Sequence, residues 1–386
     1  MANESITAPR GFLASGLACG IKKSRRLDLG LIVCPTGATA AGAFTTNKVV
    51  SAAVHVCRGH LNSPDIQAVV VNSGNANTCT GQKGIDNAIK MCATTAGEIE
   101  TRPRSVLVAS TGVIGQQLPI SKVTAAIPRA VRALSASASA GLDFARAIMT
   151  TDTQPKQAVR TLTISGAEVT IAGAIKGAGM IGPNMATTLS FITTDAAIAR
   201  PLLQAALRRA VGGSLNKLTV DGRQSTNDTC LVLASGLAGN RPIVSRCPRY
   251  RRFAAALAEL CEELTRLMAH DAEGATRIFK VVVTGAATRA DAARAARAVA
   301  DYPLVKCAVH GGDPNWGRII CAVGSAGVRL NQARLSCRLD DITVFKDGLP
   351  HKFDRKRPPG SSASPSTRLP STSVWAKRRI SATAAI

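Results

Sequence analysis

The run Lys176-Gly177-Ala178-Gly179-Met180-Ile181-Gly182-Pro183-Asn184-Met185-Ala186-Thr187-Thr188-Leu189-Ser190-Phe191-Ile192-Thr193-Thr194-Asp195-Ala196 gathers small and hydroxylic residues around a glycine-rich turn. Glycines at 177, 179 and 182 permit positive φ, Pro183 fixes the φ that follows, and Thr188 to Thr193 has the β-branched and aromatic make-up of a strand. Thr187 therefore stands where loop becomes strand. A threonine there is a nucleophile when a base adjoins its hydroxyl, and its own α-amino group becomes that base once the Ala186-Thr187 bond is cut. In such a cut the hydroxyl attacks the Ala186 carbonyl, the amide becomes an ester, and water releases an N-terminal threonine. The new amine, with a reference pKa of about 7.7–8.0, is partly neutral near pH 7 and can accept the hydroxyl proton. Without further context, a glycine-rich stretch before a threonine-rich strand reads as a turn.

Upstream, Thr161 to Ile164 and Val169 to Ile175 read as strands that deliver Lys176 to this turn. Further back, the segments Leu29 to Cys34, Ala40 to Phe44 and Val49 to Cys57 are expected to be short strands. Ala68 to Val71 ends in the polar loop Asn72-Ser73-Gly74-Asn75-Ala76-Asn77, and Gly84 to Glu98 has helical spacing. Ser105 to Ala109 is strand-like and empties into Ser110-Thr111-Gly112-Val113-Ile114-Gly115. A glycine after a strand can expose paired backbone N–H groups able to hold a developing oxyanion. Pro119 to Leu134 and Ser139 to Met149 read as helices, the first broken or kinked at Pro128, and the second leads into Thr150-Thr151-Asp152-Thr153-Gln154-Pro155-Lys156.

Downstream, Arg200 to Gly212 presents Leu202, Leu203, Ala206 and Leu207 on one helical face. Leu218-Thr219-Val220 feeds the polar run Asp221-Gly222-Arg223-Gln224-Ser225-Thr226-Asn227-Asp228-Thr229. Phe253 to His270 is the clearest helix, and Asp271-Ala272-Glu273-Gly274-Ala275-Thr276 then sets a carboxylate on a small loop before the strand Ile278 to Thr284. Ala287 to Ala300 is an Ala/Arg helix, followed by Gly311-Gly312-Asp313-Pro314-Asn315-Trp316-Gly317-Arg318, where Asp-Pro favours a turn and Trp316 suits an anchor.

Composition sets the outer bounds. The chain has 386 residues and is 46% hydrophobic, enough to bury a substantial core in one large or two moderate lobes. Lys and Arg outnumber Asp and Glu by 48 to 24, a net charge of +24. The arginines are scattered over helix-like segments and the tail, with no aromatic-rich basic strand, so nucleic acid is not the expected partner. The eleven cysteines form no Cys-x-x-Cys pair and read as reduced thiols. His55, His60, His270, His310 and His351 lack metal-ligand spacing, so no metal is expected. The opening Met1-Ala2-Asn3-Glu4 has no basic or apolar leader character and no apolar run reaches membrane length, which makes the cytoplasm the expected location.

The segment from Lys176 to Thr187 closely resembles the self-cleavage segment of the ArgJ family, the glutamate N-acetyltransferases or ornithine acetyltransferases of arginine biosynthesis. The opening, the Asn72 to Asn77 loop, Ser-Thr-Asn-Asp-Thr at 225–229 and Asp-Pro-Asn-Trp-Gly-Arg at 313–318 are similar to the same family. The resemblance implies an α/β fold of layered sheets and helices in two lobes, cut at Ala186-Thr187. It implies an alpha chain, 1–186, carrying the oxyanion loop and a beta chain, 187–350, carrying the nucleophile and the substrate lobe. It implies ping-pong acetyl transfer from N-acetylornithine to glutamate without a cofactor, with acetyl-CoA an additional donor in some members, in a heterotetramer of two alpha-beta pairs. By the same resemblance Thr187 is the nucleophile, Thr111 and Gly112 stabilise the oxyanion, and Thr150, Lys176, Thr187 and Glu273 bind substrate. Arg223 and Gln224 depart from the family, which usually has an acidic residue and a threonine there. The resemblance stops near residue 350. The basic, Pro/Ser-rich tail at 351–386 is expected to be disordered, whether by a shifted reading frame or by divergence, and the residues that close the family's pocket are missing from it. An altered tail makes an inactive relative one alternative; a threonine-nucleophile amidase or aminopeptidase is another.

Overall fold

In a computed structural model, residues 3–182, 188–354, 371–374 and 380–385 are described, the last two stretches as backbone. The chain divides into two compact units, one of residues 1–216 and 224–271 and the other of residues 217–223 and 272–386.

The first unit is built on strands β1 (Leu13–Leu17), β2 (Leu29–Phe44), β3 (Ile66–Asn75), β4 (Val106–Val113), β5 (Lys156–Ile164), β6 (Ala167–Lys176), β7 (Leu189–Thr194) and β9 (Thr229–Ala234). They hydrogen-bond in the order β4-β3-β2-β9-β7-β6-β5, with β1 also on β2. The β3–β4 and β7–β9 pairs are parallel and the rest antiparallel. Residues 29–38 of β2 pair with β3, and residues 39–44 pair with β9. Drawn straight, Leu29 and Phe44 would lie roughly 50 Å apart. Yet Asn227, just before β9, hydrogen-bonds to Ala76, just after β3, at 2.7 Å. The strand must therefore double back at the Val33–Ala38 irregularity, around Pro35-Thr36-Gly37, and fold the sheet into two facing halves.

Helices α1 (Ala52–His60), α2 (Gly81–Glu98) and α3 (Ile120–Arg132) pack on the first half of the sheet, while α5 (Arg200–Gly213) and α6 (Pro248–His270) pack on the second. Along β7 every residue is buried, as a strand covered on both faces requires. Phe191 meets Phe144 of α4 (Ala138–Ala147) edge to face at 5.4 Å. Its neighbour Ile192 turns to the face where Leu264 and Leu260 of α6 lie over Gly173. Leu189, Phe191, Leu231 and Leu233 share one core with Leu31, Val69, Val71, Met91 and Ile127.

The second unit holds β8 (Leu218–Thr219), β10 (Ile278–Val283), β11 (Cys337–Leu339), β12 (Ile342–Lys346), β13 (Leu349–Pro350), β14 (Ser371–Val374) and β15 (Ile380–Ala385), in the order β13-β12-β11-β14-β10-β15-β8. Helices α7 (Arg289–Asp301), α8 (Pro303–Gly311) and α9 (Trp316–Gly324) supply its core through Ala292, Ala296, Val299, Val305 and Ala322. Trp316 stacks on Phe345 with ring centres 5.0 Å apart.

Several expectations change. Residues 52–60 are helix α1, because Ser51 caps it by accepting the Ala53 N–H and turns a valine-rich stretch away from the sheet. Helix α3 runs through Pro128 without a break. The compact units do not divide at Ala186-Thr187, because β7 and β9, from beyond that bond, are interior strands of the first sheet. In the tail read as disordered, 371–374 and 380–385 are strands of the second sheet.

Candidate active site

Strand β6 ends at Lys176, opposite Leu189 at the start of β7. Beyond it the backbone turns with Gly177 at φ +153° and Met180 at +56°. Ala186 and Thr187 lie outside the described residues. Thr188, the next residue, donates its N–H to Asp228 Oδ1 at 3.2 Å, and its carbonyl accepts from Thr229 N at 3.0 Å.

Lys176 is only 2% exposed. Burial pulls its pKa down, and the carboxylates of Asp152 and Asp228 oppose that shift. Burial drives Asp228 well above the ordinary carboxylate range, against the Thr188 N–H and Lys176. Asp152 is also buried, which alone would raise its pKa, but Lys156 and Lys176 hold it below the ordinary value.

Asp152 is a junction. Its Oδ1 accepts the Gly177 N–H at 2.7 Å and pairs with Lys156 Nζ at 2.5 Å, while its Oδ2 accepts the Thr150 N–H at 2.9 Å. Lys156 Nζ also meets Asp271 Oδ2 at 2.5 Å, and Asp271 in turn accepts the Thr153 N–H. One buried carboxylate thus ties half-buried Thr150 to the turn that follows Lys176. Lys22 steadies the same loop by donating to Met149 O and Leu27 O, both at 2.7 Å, and burial lowers its pKa to about 8.

Thr111 and Gly112 stand at the end of β4. Thr111 is buried and Gly112 exposed. Gly112 has φ +134°, and a Cβ there would sit 2.2 Å from Gly74 C, so no side chain fits. The preceding Ser110 O accepts Asn227 Nδ2 at 2.7 Å, and Ser110 Oγ donates to Asn72 Oδ1 at 2.6 Å. The end of β4 is therefore tied to Asn227, the residue beside Asp228.

Glu273 belongs to the second unit and is exposed. Arg223 is exposed and its backbone N–H donates to Asp221, a bond that does not depend on the side chain, while the Gln224 amide donates to Thr46 Oγ1 at 2.6 Å. Asn227, Asp228 and the Asp152–Lys156–Asp271 group carry the geometry without having been assigned roles from sequence. The signal for the first two was five polar residues, Ser225 to Thr229, running straight into the apolar strand Cys230–Ala234; the ion group joins positions too distant in sequence to be paired by spacing. Among the described residues no His, Cys, Asp and Glu group could hold a metal, and no helix is long and apolar enough to cross a membrane.

A layered α/β scaffold with this motif set defines an enzyme of the acyltransferase class. The family model described as the ArgJ family matches residues 13–363, past the point near 350 where the motifs stop. The arginine biosynthesis bifunctional protein ArgJ of Symbiobacterium thermophilum is 48% identical over 351 residues, covering 90% of this chain and 87% of the relative. That of Dehalococcoides mccartyi is 45% identical over 354 residues, covering 91% and 86%. Among solved structures, ornithine acetyltransferase complexed with ornithine from Mycobacterium tuberculosis is 36% identical, spans 47% of this chain and 96% of that one, and superposes with a TM-score of 0.43. The chain belongs to the ArgJ family.

Proposed function

We propose that this chain cleaves itself at Ala186-Thr187 and then carries an acetyl group from N-acetyl-L-ornithine to L-glutamate on Thr187. Ornithine is the ligand named for the Mycobacterium tuberculosis relative, and arginine biosynthesis the role named for the others. The observation that carries the reading is the junction at Asp152, which binds the Thr150 loop and the Lys176 turn to one buried carboxylate.

In this reading the Thr187 amine takes the hydroxyl proton as Oγ attacks the acetyl carbonyl. Thr111 and Gly112 stabilise the oxyanion. The tetrahedral intermediate collapses, the proton passes to the departing ornithine amine, and an acetyl-threonine ester remains. The amine of glutamate attacks that ester, and collapse restores the Thr187 hydroxyl and yields N-acetylglutamate. Lys176 and Thr150 hold the substrate, Lys176 through a carboxylate, and Glu273 takes an amino group. Acetyl-CoA serves as a second donor, in keeping with the word bifunctional in the relatives' names. The two chains stay associated as a cytoplasmic dimer of alpha-beta pairs.

Intact mass of the wild type beside Thr187→Ala tests the first step. Two fragments meeting at Ala186-Thr187, with the variant whole, support it; a wild type that stays whole removes it. Product analysis with and without glutamate tests the second, since release of free acetate at an unchanged rate in both would make the protein an amidase.

A further inference from the structure

We infer that Asn227 is a positioning residue that sets the oxyanion strand relative to the strand following the nucleophile. The inference rests on the proposed roles of Thr111, Gly112 and Thr187.

The side-chain amide is buried and every polar atom on it is used. Nδ2 donates to Ala76 O and to Ser110 O, both at 2.7 Å. Oδ1 accepts from Thr226 Oγ1 at 2.6 Å and from Thr78 Oγ1 at 2.8 Å. Two hydroxyl donors on the oxygen and two carbonyls at the nitrogen fix which way the amide faces. The Ser110 carbonyl lies in the same rigid peptide plane as the N–H of Thr111, so holding the carbonyl sets the tilt of the plane that enters Thr111-Gly112. The residue next to Asn227 is Asp228, whose carboxylate accepts the N–H of Thr188. Two consecutive residues therefore grip the strand of the oxyanion pair and the strand that starts beyond Thr187. Only an amide of this length supplies two donors and an acceptor at once.

Asn227→Asp keeps the shape and exchanges the donors for oxygens. As a carboxylate it would set negative charge against two carbonyls; protonated, it recovers one donor. Asn227→Ala removes all four bonds at every pH. The measurements are the time course of self-cleavage by intact mass, kcat and KM for acetyl transfer across pH, and a thermal melt at each pH.

The expected result is a roughly ten- to hundredfold loss of both cleavage rate and kcat with KM unchanged. For Asn227→Asp the loss deepens as pH rises and shrinks on acidification, while for Asn227→Ala the ratio to wild type is flat. Wild-type rates in both variants overturn the proposal, as does a loss confined to KM or one that merely follows the unfolded fraction. A wild type that neither cleaves nor transfers acetyl removes the proposed function and this inference together, whereas an active wild type with unaffected variants removes this inference alone.

Discussion

Asp228 and the Asp152 group are both buried carboxylates, yet their pH dependences run in opposite directions. Burial raises Asp228, so its contribution to stability is complete below the unfolded carboxylate pKa and is lost as pH rises through the folded value. Asp228→Asn still accepts the Thr188 N–H and escapes that loss. The variant is expected to melt higher than wild type at pH 8, with the gap closing as pH falls toward the unfolded pKa; equal melting points at pH 8 would contradict the burial argument. Asp152 is depressed, so its contribution is present above the unfolded pKa and fades as pH falls through the folded one. Asp271→Asn removes one of the two carboxylates on buried Lys156 and leaves Asp152 as its ion-pair partner. A cost of about 1.5–3 kcal/mol, that of one charge-assisted bond, is expected from urea midpoints near neutral pH. Neither group was assigned from sequence, since charge pairing between residues 152 and 271 is a product of topology. The residues that could be assigned, Lys176 and Thr150, were reached by motif, and the structure supplies the carboxylate that links them.

Among the elements, those with a long single period were legible. Helix α6 was read from its leucine and methionine spacing, and β6 and β7 from their β-branched content. Helix α1 was not, because nine residues with two valines satisfy either period and only the Ser51 cap decides. Close packing between elements was invisible in the same way. At Gly16 of β1, an added Cβ would lie 2.1 Å from Asp143 O of α4, backbone against backbone. Gly16→Ala is expected to cost about 1–3 kcal/mol or more by wedging α4 off the sheet. Gly97→Ala, in α2 with nothing within 4 Å, should instead stabilise by about 0.5–1 kcal/mol, and paired denaturation curves compare the two. The start of α6 makes a chemical prediction. The Tyr250 N–H and Arg249 lower the Cys247 thiol to about 7. Iodoacetamide at neutral pH should label Cys247 ahead of the exposed Cys79, Cys307 and Cys321, as peptide mapping will show.

For the whole molecule, the layered α/β class was legible, but the bounds of the compact units, which fall at 216/217, 223/224 and 271/272, were not, because contacts follow the sheet and not the chain. Strand β7 is zipped to β6 and β9 to β2 along six-residue registers on each side. After the proposed cut, each fragment would still hold half of every one of those ladders. The fragments are expected to co-elute through size exclusion in high salt and to separate only in denaturant at the concentration that unfolds the sheet; separation in salt alone would contradict this.

The same interleaving gives the proposed cut a meaning in time. In the proposed reading, cleavage beside β7 follows the pairing of residues 229–234 with residues 39–44, some two hundred positions away in the chain. A severed backbone would then be a permanent record that the sheet had closed, and an intact one the mark of a molecule still on its way.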